Sequence, residues 1–278
     1  MKKNKKKNVL PGFGLSMGIT TFYISLVILV PLSMIFIETS KLEWTEFWQI
    51  VTSKRMLHAY KISFLTALGA AVLNAIFGFI IAWVLVRYTF PGKRIIDGLI
   101  DLPFALPTAV AGIALTTLYA QDGWFGQFFA SFGIKIAFTP LGIMIALVFI
   151  GLPFVVRMVQ PVLENMEYEV EEAANSLGAT KRQTFIKVIF PEVLPAVLAG
   201  FSLAFARGLG EYGSVVFIAG NLPMKTEIVP LMIMTKLEQF DYAGATAIAV
   251  VMLVVSFICL IIINLLQKWS RKHELYNE

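Results

Sequence analysis

Two stretches of this 278-residue chain place side chains where they can do chemistry. In the first, Arg207-Gly208-Leu209-Gly210-Glu211-Tyr212-Gly213 interrupts an otherwise apolar run. Charges in such a run are costly, so they face a protein interior or a watery path and pair with each other or with an ion. Arg207 and Glu211 are four apart and can share one helical face, although Arg before Glu is the weaker order for a pair. Two readings stand: a self-neutralising ion pair, or a guanidinium that a permeating anion meets. The three glycines loosen the helix, and a break at Gly208 or Gly210 would aim backbone N–H groups at an oxyanion.

The second stretch runs from Arg157 to Lys187. Glu164, Glu167, Glu169, Glu171 and Glu172 lead into Ala173, Ala174 and Gly178, and Thr180 with Gln183 makes a capping-box pattern. Pro161 suits a first helical turn and Gly178 the positive φ that ends a helix, so the spacing predicts two short helices joined by a tight turn. Ala173 and Ala174 are small enough for a partner's backbone to approach, and Glu172 offers a carboxylate to an Arg or an N–H. A solvated, well-capped loop and a DNA-binding helix pair are the other readings. The acidic first helix repels phosphate and counts against the latter.

Other chemistry lacks its residues. The nearest approach to a nucleotide-binding loop, Gly220-Asn221-Leu222-Pro223-Met224-Lys225-Thr226, lacks the second glycine and is one residue short. His58 and His273 have no companion ligand at metal spacing. The single cysteine, Cys259, lies in an apolar run, so no disulfide framework forms within the chain.

The elements that carry these residues follow from composition. The chain is 58% hydrophobic and 15% charged, with a mean hydropathy of +0.76. Soluble domains hold about 45–50% apolar and about 25% charged residues, so an ordinary soluble domain is excluded. A helix of about 20 residues crosses about 30 Å of hydrocarbon. Runs 8–37, 62–86, 136–156 and 242–267 meet that length without Asp, Glu, Lys or Arg, and 102–121 does so despite Pro103, Pro107 and Gly112. Residues 188–219 form a further span, broken by Arg207 and Glu211. The expectation is an all-α integral membrane chain of six spans, with the helix-turn-helix between spans four and five. A basic tail 1–8, a six-span domain 9–267 with its loop at 160–191, and a tail 268–278 complete the organisation.

Of the 23 Lys and Arg residues, fifteen fall on the side of the termini and the 157–187 loop, seven on the other, and Arg207 lies between. Positive charge marks the cytoplasmic side, so both termini are expected there. The Lys2–Lys7 tract reads as a topology determinant rather than a lipid anchor or signal-peptide head, because the following apolar run is too long and lacks a cleavage pattern. The aromatic segment 123–134 is too short to span and suits the outer interface.

Glu172-Ala173-Ala174, Gly178, Val188, Phe190 and Pro191 resemble the EAA loop of inner-membrane permease subunits in binding-protein-dependent ABC importers. Val188 and Phe190 stand where that loop carries Ile and Leu. The resemblance implies that Glu171, Glu172, Ala173, Ala174, Gly178, Val188 and Pro191 couple the spans to a separate ATPase. It implies a transport subunit with no catalytic site and no cofactor of its own, ATP and Mg being held by the partner ATPase. The implied partners are two copies of a cytoplasmic ATP-binding subunit, a second permease of the W type, a periplasmic or lipid-anchored sulfate/thiosulfate-binding protein, and membrane lipid, with no nucleic acid. The implied location is a bacterial inner membrane.

Gly210-Glu211-Tyr212-Gly213 resembles the sulfate and molybdate branch of these permeases, and residues 106–112, 219–227 and 241–247 resemble its T-type sulfate/thiosulfate members. Sulfate or thiosulfate uptake is therefore expected, with Arg207, Gly208, Gly210, Glu211 and Tyr212 as the translocation-path candidates. Molybdate or tungstate is the alternative, since no side chain distinguishes these tetrahedral dianions. A secondary anion transporter would also show six spans, but it needs no EAA loop and would carry coupling carboxylates beyond Glu211.

Overall fold

The computed structural model describes the backbone of residues 12–274 and the side chains of residues 12–265. The Lys2–Lys7 tract and the basic side chains of the C-terminal tail lie outside the described residues. Backbone polar groups in lipid need partners within their own segment, which a helix supplies. Among the described residues every regular element is helical. In chain order these are α1 (Phe13–Thr39), α2 (Trp44–Val51), α3 (Lys54–Arg87), α4 (Lys93–Ile100), α5 (Leu102–Ala105), α6 (Thr108–Tyr119) and α7 (Trp124–Ala130). Then follow α8 (Pro140–Asn165), α9 (Tyr168–Ser176), α10 (Lys181–Leu209), α11 (Gly213–Ala219), α12 (Val229–Glu238) and α13 (Tyr242–Glu274).

Among the described residues five helices, α1, α3, α8, α10 and α13, are long and apolar enough to cross a membrane. The run 102–121, expected as one span, is instead broken into α5 and α6. Leu106 precedes a proline and takes an extended ψ of 134°, and Pro107 follows at 129°, which ends the helix between them. The 12 residues of α6 reach about 18 Å, short of the hydrocarbon thickness. Residues 54–61, assigned from sequence to an outer loop, form the first turns of α3, where the Ser53 hydroxyl caps the Met56 N–H at 3.3 Å.

Helices α3, α8 and α10 pack into the central bundle. Small residues let them approach: a Cβ on Gly78 would lie 2.8 Å from Val155, and one on Gly200 2.7 Å from the Val155 backbone. Asn74, buried in α3, donates to the Val148 carbonyl at 3.1 Å and accepts from the Leu152 N–H at 3.3 Å when its amide is oriented to satisfy both. It thereby ties α3 into the backbone ladder of α8. Helix α13 packs on α10, α12 and the second half of α1, and no residue of α1 is buried.

Candidate functional site

The helix-turn-helix is present with different bounds. Pro161 lies inside α8, not in the first turn of a new helix, because α8 continues to Asn165. Helix α9 begins only after Met166 and Glu167, both extended at ψ 119° and 128°. Gly178 closes α9 at φ +85°, and the Thr180–Gln183 capping box starts the next helix at once, as the spacing predicts. That next helix is not short: it continues through a π-helical turn, Phe185–Ile189, into the long helix α10. In that turn the Phe190 N–H reaches back to the Phe185 carbonyl, immediately before Pro191, which has no N–H to give. So α9 is joined to a spanning helix by one glycine turn.

The EAA-like residues divide between two faces. Glu172, Ala173 and Gly178 are exposed, and Leu177 beside them is 89% exposed. Ala174, Val188 and Pro191 are half-buried beneath. Glu171 turns inward, with Oε1 2.5 Å from a terminal nitrogen of Arg87 at the end of α3. Arg157 of α8 is likewise engaged: it donates from Nε to Asp101 at 2.8 Å, from Nη2 to the other Asp101 oxygen at 2.6 Å, and from Nη1 to Asp97 at 2.7 Å. Sequence reading counted Arg87 and Arg157 as topology charges and missed both as clamps. Their partners lie far off in the chain, so spacing carries no signal for them.

The other predicted cluster sits at the far end of α10, about 40 Å along the helix from Lys181. Val188 and Pro191 of the first set share α10 with this cluster, but the two sets form no common site. Helix α10 stops with Gly210 as its C-cap, and Arg207 meets Glu211 at 2.6 Å. Glu211 is buried and its second oxygen accepts from both the N–H and the hydroxyl of Ser214 at 3.0 Å. The break at Gly210 therefore frees a backbone donor, and Glu211 takes it. Gly208 stays helical, and Tyr212 is the N-cap residue of α11. Helix α11 lies tightly on α6, where a Cβ on Gly112 would fall 2.5 Å from the Ser214 carbonyl oxygen. Gly112→Ala should cost about 1–3 kcal/mol by forcing the helices apart. A lowered thermal midpoint of the purified chain checks this, and an unchanged one contradicts it.

Beyond α11, the stretch 220–226 folds on itself rather than presenting a nest for phosphate. The Thr226 hydroxyl donates to the Ala219 carbonyl at 2.7 Å and accepts from the Leu222 N–H at 2.9 Å. Next to it, buried Glu227 accepts from Arg55 Nε at 2.9 and 3.0 Å and from the Met224 N–H at 3.1 Å. Burial pushes the Glu227 carboxyl up, but the bonds from Arg55 and Met224 and the charges of Arg55 and His58 more than offset it, leaving it below the ordinary 4.5. A depressed carboxyl stabilises fully above its unfolded pKa and loses that contribution as pH falls through the folded value. The difference in thermal midpoint between the parent chain and Glu227→Gln should therefore be constant above about pH 5 and shrink below it. A pH-independent difference would refute this. No group of three or more metal-ligating side chains occurs among the described residues, and Cys259 is free.

A bundle of apolar helices, a short exposed helix one turn away from one of them and a charged joint at that spanning helix's far end make this a multi-pass membrane component. The chain belongs to the family described as "Binding-protein-dependent transport system inner membrane component", whose model matches residues 74–273. It is 50% identical over 261 residues to the sulfate transport system permease protein CysT of Salmonella typhimurium, covering 94% of each chain. To the protein of the same name from Synechocystis it is 52% identical over 255 residues, covering 92% of this chain and 89% of the other. In fold it matches a bacterial ABC transporter involved in the import of the acidic polysaccharide alginate, with a TM-score of 0.73 at 14% identity, covering 92% of this chain and 96% of that one.

Proposed function

We propose that this chain is the permease subunit of an ATP-driven importer of sulfate or thiosulfate, worked through α9 by separate ATP-binding subunits. The observation that carries the coupling is α9 itself: a nine-residue helix with Glu172 and Ala173 on its outer surface and exposed Leu177 at its C-cap, one glycine turn from a spanning helix. The Glu172 carboxylate, with small Ala173 and apolar Leu177 beside it, suits a groove containing an arginine or free N–H groups. Sulfate as cargo is supported by the two CysT relatives, sulfate permeases by name. In this reading α9 and both termini are cytoplasmic in a bacterial inner membrane. A W-type permease completes the pore, two ATP-binding subunits hold the ATP and Mg, and a binding protein delivers the anion to the opposite face.

Closure of the ATPase pair then displaces α9, and α10 carries the motion to the Arg207–Glu211 joint, where α10 and α11 meet. A state is favoured only by differential binding, so α9 must fit the open and closed ATPase pairs differently. Arg207 and Glu211 act in this scheme as the hinge pin of the pathway wall, with Gly208, Gly210 and Tyr212 around it. Competition of labelled sulfate by thiosulfate, molybdate and tungstate in proteoliposomes holding all subunits tests the cargo. Sulfate and thiosulfate should compete at lower concentration than molybdate or tungstate, and the reverse order would reassign the cargo.

A further inference from the structure

The last turn of α3 holds a guanidinium to which the scheme above gives no role. Arg87 is only 8% exposed in its side chain although it ends a spanning helix. Besides the Glu171 ion pair at 2.5 Å, it lies 3.4 Å from the sulfur of Met166, just ahead of α9. Its guanidinium carbon is 4.8 Å from the ring centre of Tyr168, the first residue of α9, and 5.3 Å from that of Trp83, one turn back on α3. Tyr168 and Glu171 are three apart and share one face of α9. Only a planar, delocalised cation can pair with a carboxylate and stack on rings in this way.

The contacts continue into the root of α10. Trp83 meets Phe185 edge-on at 5.5 Å, and Phe79 meets Phe185 and Phe190 at 6.1 and 6.2 Å. Apart from its packing against the root of α10, α9 is joined to the chain through two pivots, the extended Met166–Glu167 pair and the glycine turn, and Arg87 reaches it from α3.

We propose that Arg87 is a positioning residue that fastens α9 to α3, so that a displacement of α9 moves α3 and α10 as one body. This rests on the reading of α9 as the coupling handle. The test uses the full transporter in nanodiscs, with Arg87→Ala and Arg87→Lys compared with the parent chain. Arg87→Ala should keep its ATP-binding subunits at the parental ratio, because the residue lies behind the exposed face. Sulfate moved per ATP hydrolysed should fall about tenfold, within the span of ordinary inter-site coupling. Amide exchange over residues 168–176 should quicken about tenfold with the permease alone. Arg87→Lys, keeping the charge without the stacking plane, should fall between the two.

Unchanged transport per ATP, unchanged exchange over α9, or loss of the ATP-binding subunits from Arg87→Ala would each overturn the inference. Should the parent chain itself show no ATP-dependent uptake while Arg87→Ala still loosens α9, the coupling reading fails and the fastening stands.

Discussion

The double substitution Glu172→Lys, Leu177→Asp should abolish ATP-dependent sulfate uptake while the chain still inserts and folds. Both side chains are exposed, and surface substitutions of this type change stability by about 0.5 kcal/mol or less. At a docked interface the same changes reverse one charge and bury another, and single contacts of that kind are worth about 2 kcal/mol or more, roughly thirtyfold in affinity. The thermal midpoint should therefore hold while co-purification of the ATP-binding subunits and uptake are both lost. Gly178→Val is the companion. A Cβ there meets nothing within 4 Å, so its effect comes only from forcing a β-branched residue to φ +85°, at about 1–2 kcal/mol. The strain re-aims α9, and uptake should drop without loss of membrane insertion. Normal uptake in the double variant would show that α9 is not the coupling element.

Arg207→Ala should lower both thermal stability and uptake by removing the cation from a buried carboxylate. Glu211 is 2% exposed in its side chain, whereas Arg207 is 39% exposed. Breaking a buried pair costs about 3–5 kcal/mol, and the exposure of Arg207 places this case toward or below the bottom of that range. Adding Glu211→Gln removes the stranded charge and keeps an acceptor for the Ser214 N–H and hydroxyl. The double variant should regain most of the stability and most of the uptake, as a joint requires. Recovery of stability without uptake would instead place Arg207 in contact with the anion.

Local features were legible in the sequence because their physics is local. Thr180 with Gln183 and Gly178 each need only near neighbours to cap or turn a helix, and the structure has both where the spacing puts them. Arg207 and Glu211 were visible as a pair by their four-residue spacing. Their use was not, since Ser214, the group that completes the joint, matters only once the helix has broken at Gly210. Prolines misled in both directions. Pro161 marks no start because α8 runs through it, while Pro107 does break the third apolar run through the extended residue before it.

Long-range charge pairs were the least legible. Arg55 finds Glu227 across 172 residues, and Arg157 finds Asp101 across 56. Counting positive charge assigns such residues to a side of the membrane and is blind to what they hold. Arg87 is the clearest case, a topology charge that lies under α9 between two aromatic rings.

Uptake of labelled sulfate into proteoliposomes tests the central claim most directly, with the permease pair, binding protein and ATP supplied, and the ATP-binding subunits either present or left out. The account predicts accumulation only when those subunits are present, and its loss when Glu172 and Leu177 are replaced. Accumulation at the same rate without them would contradict it.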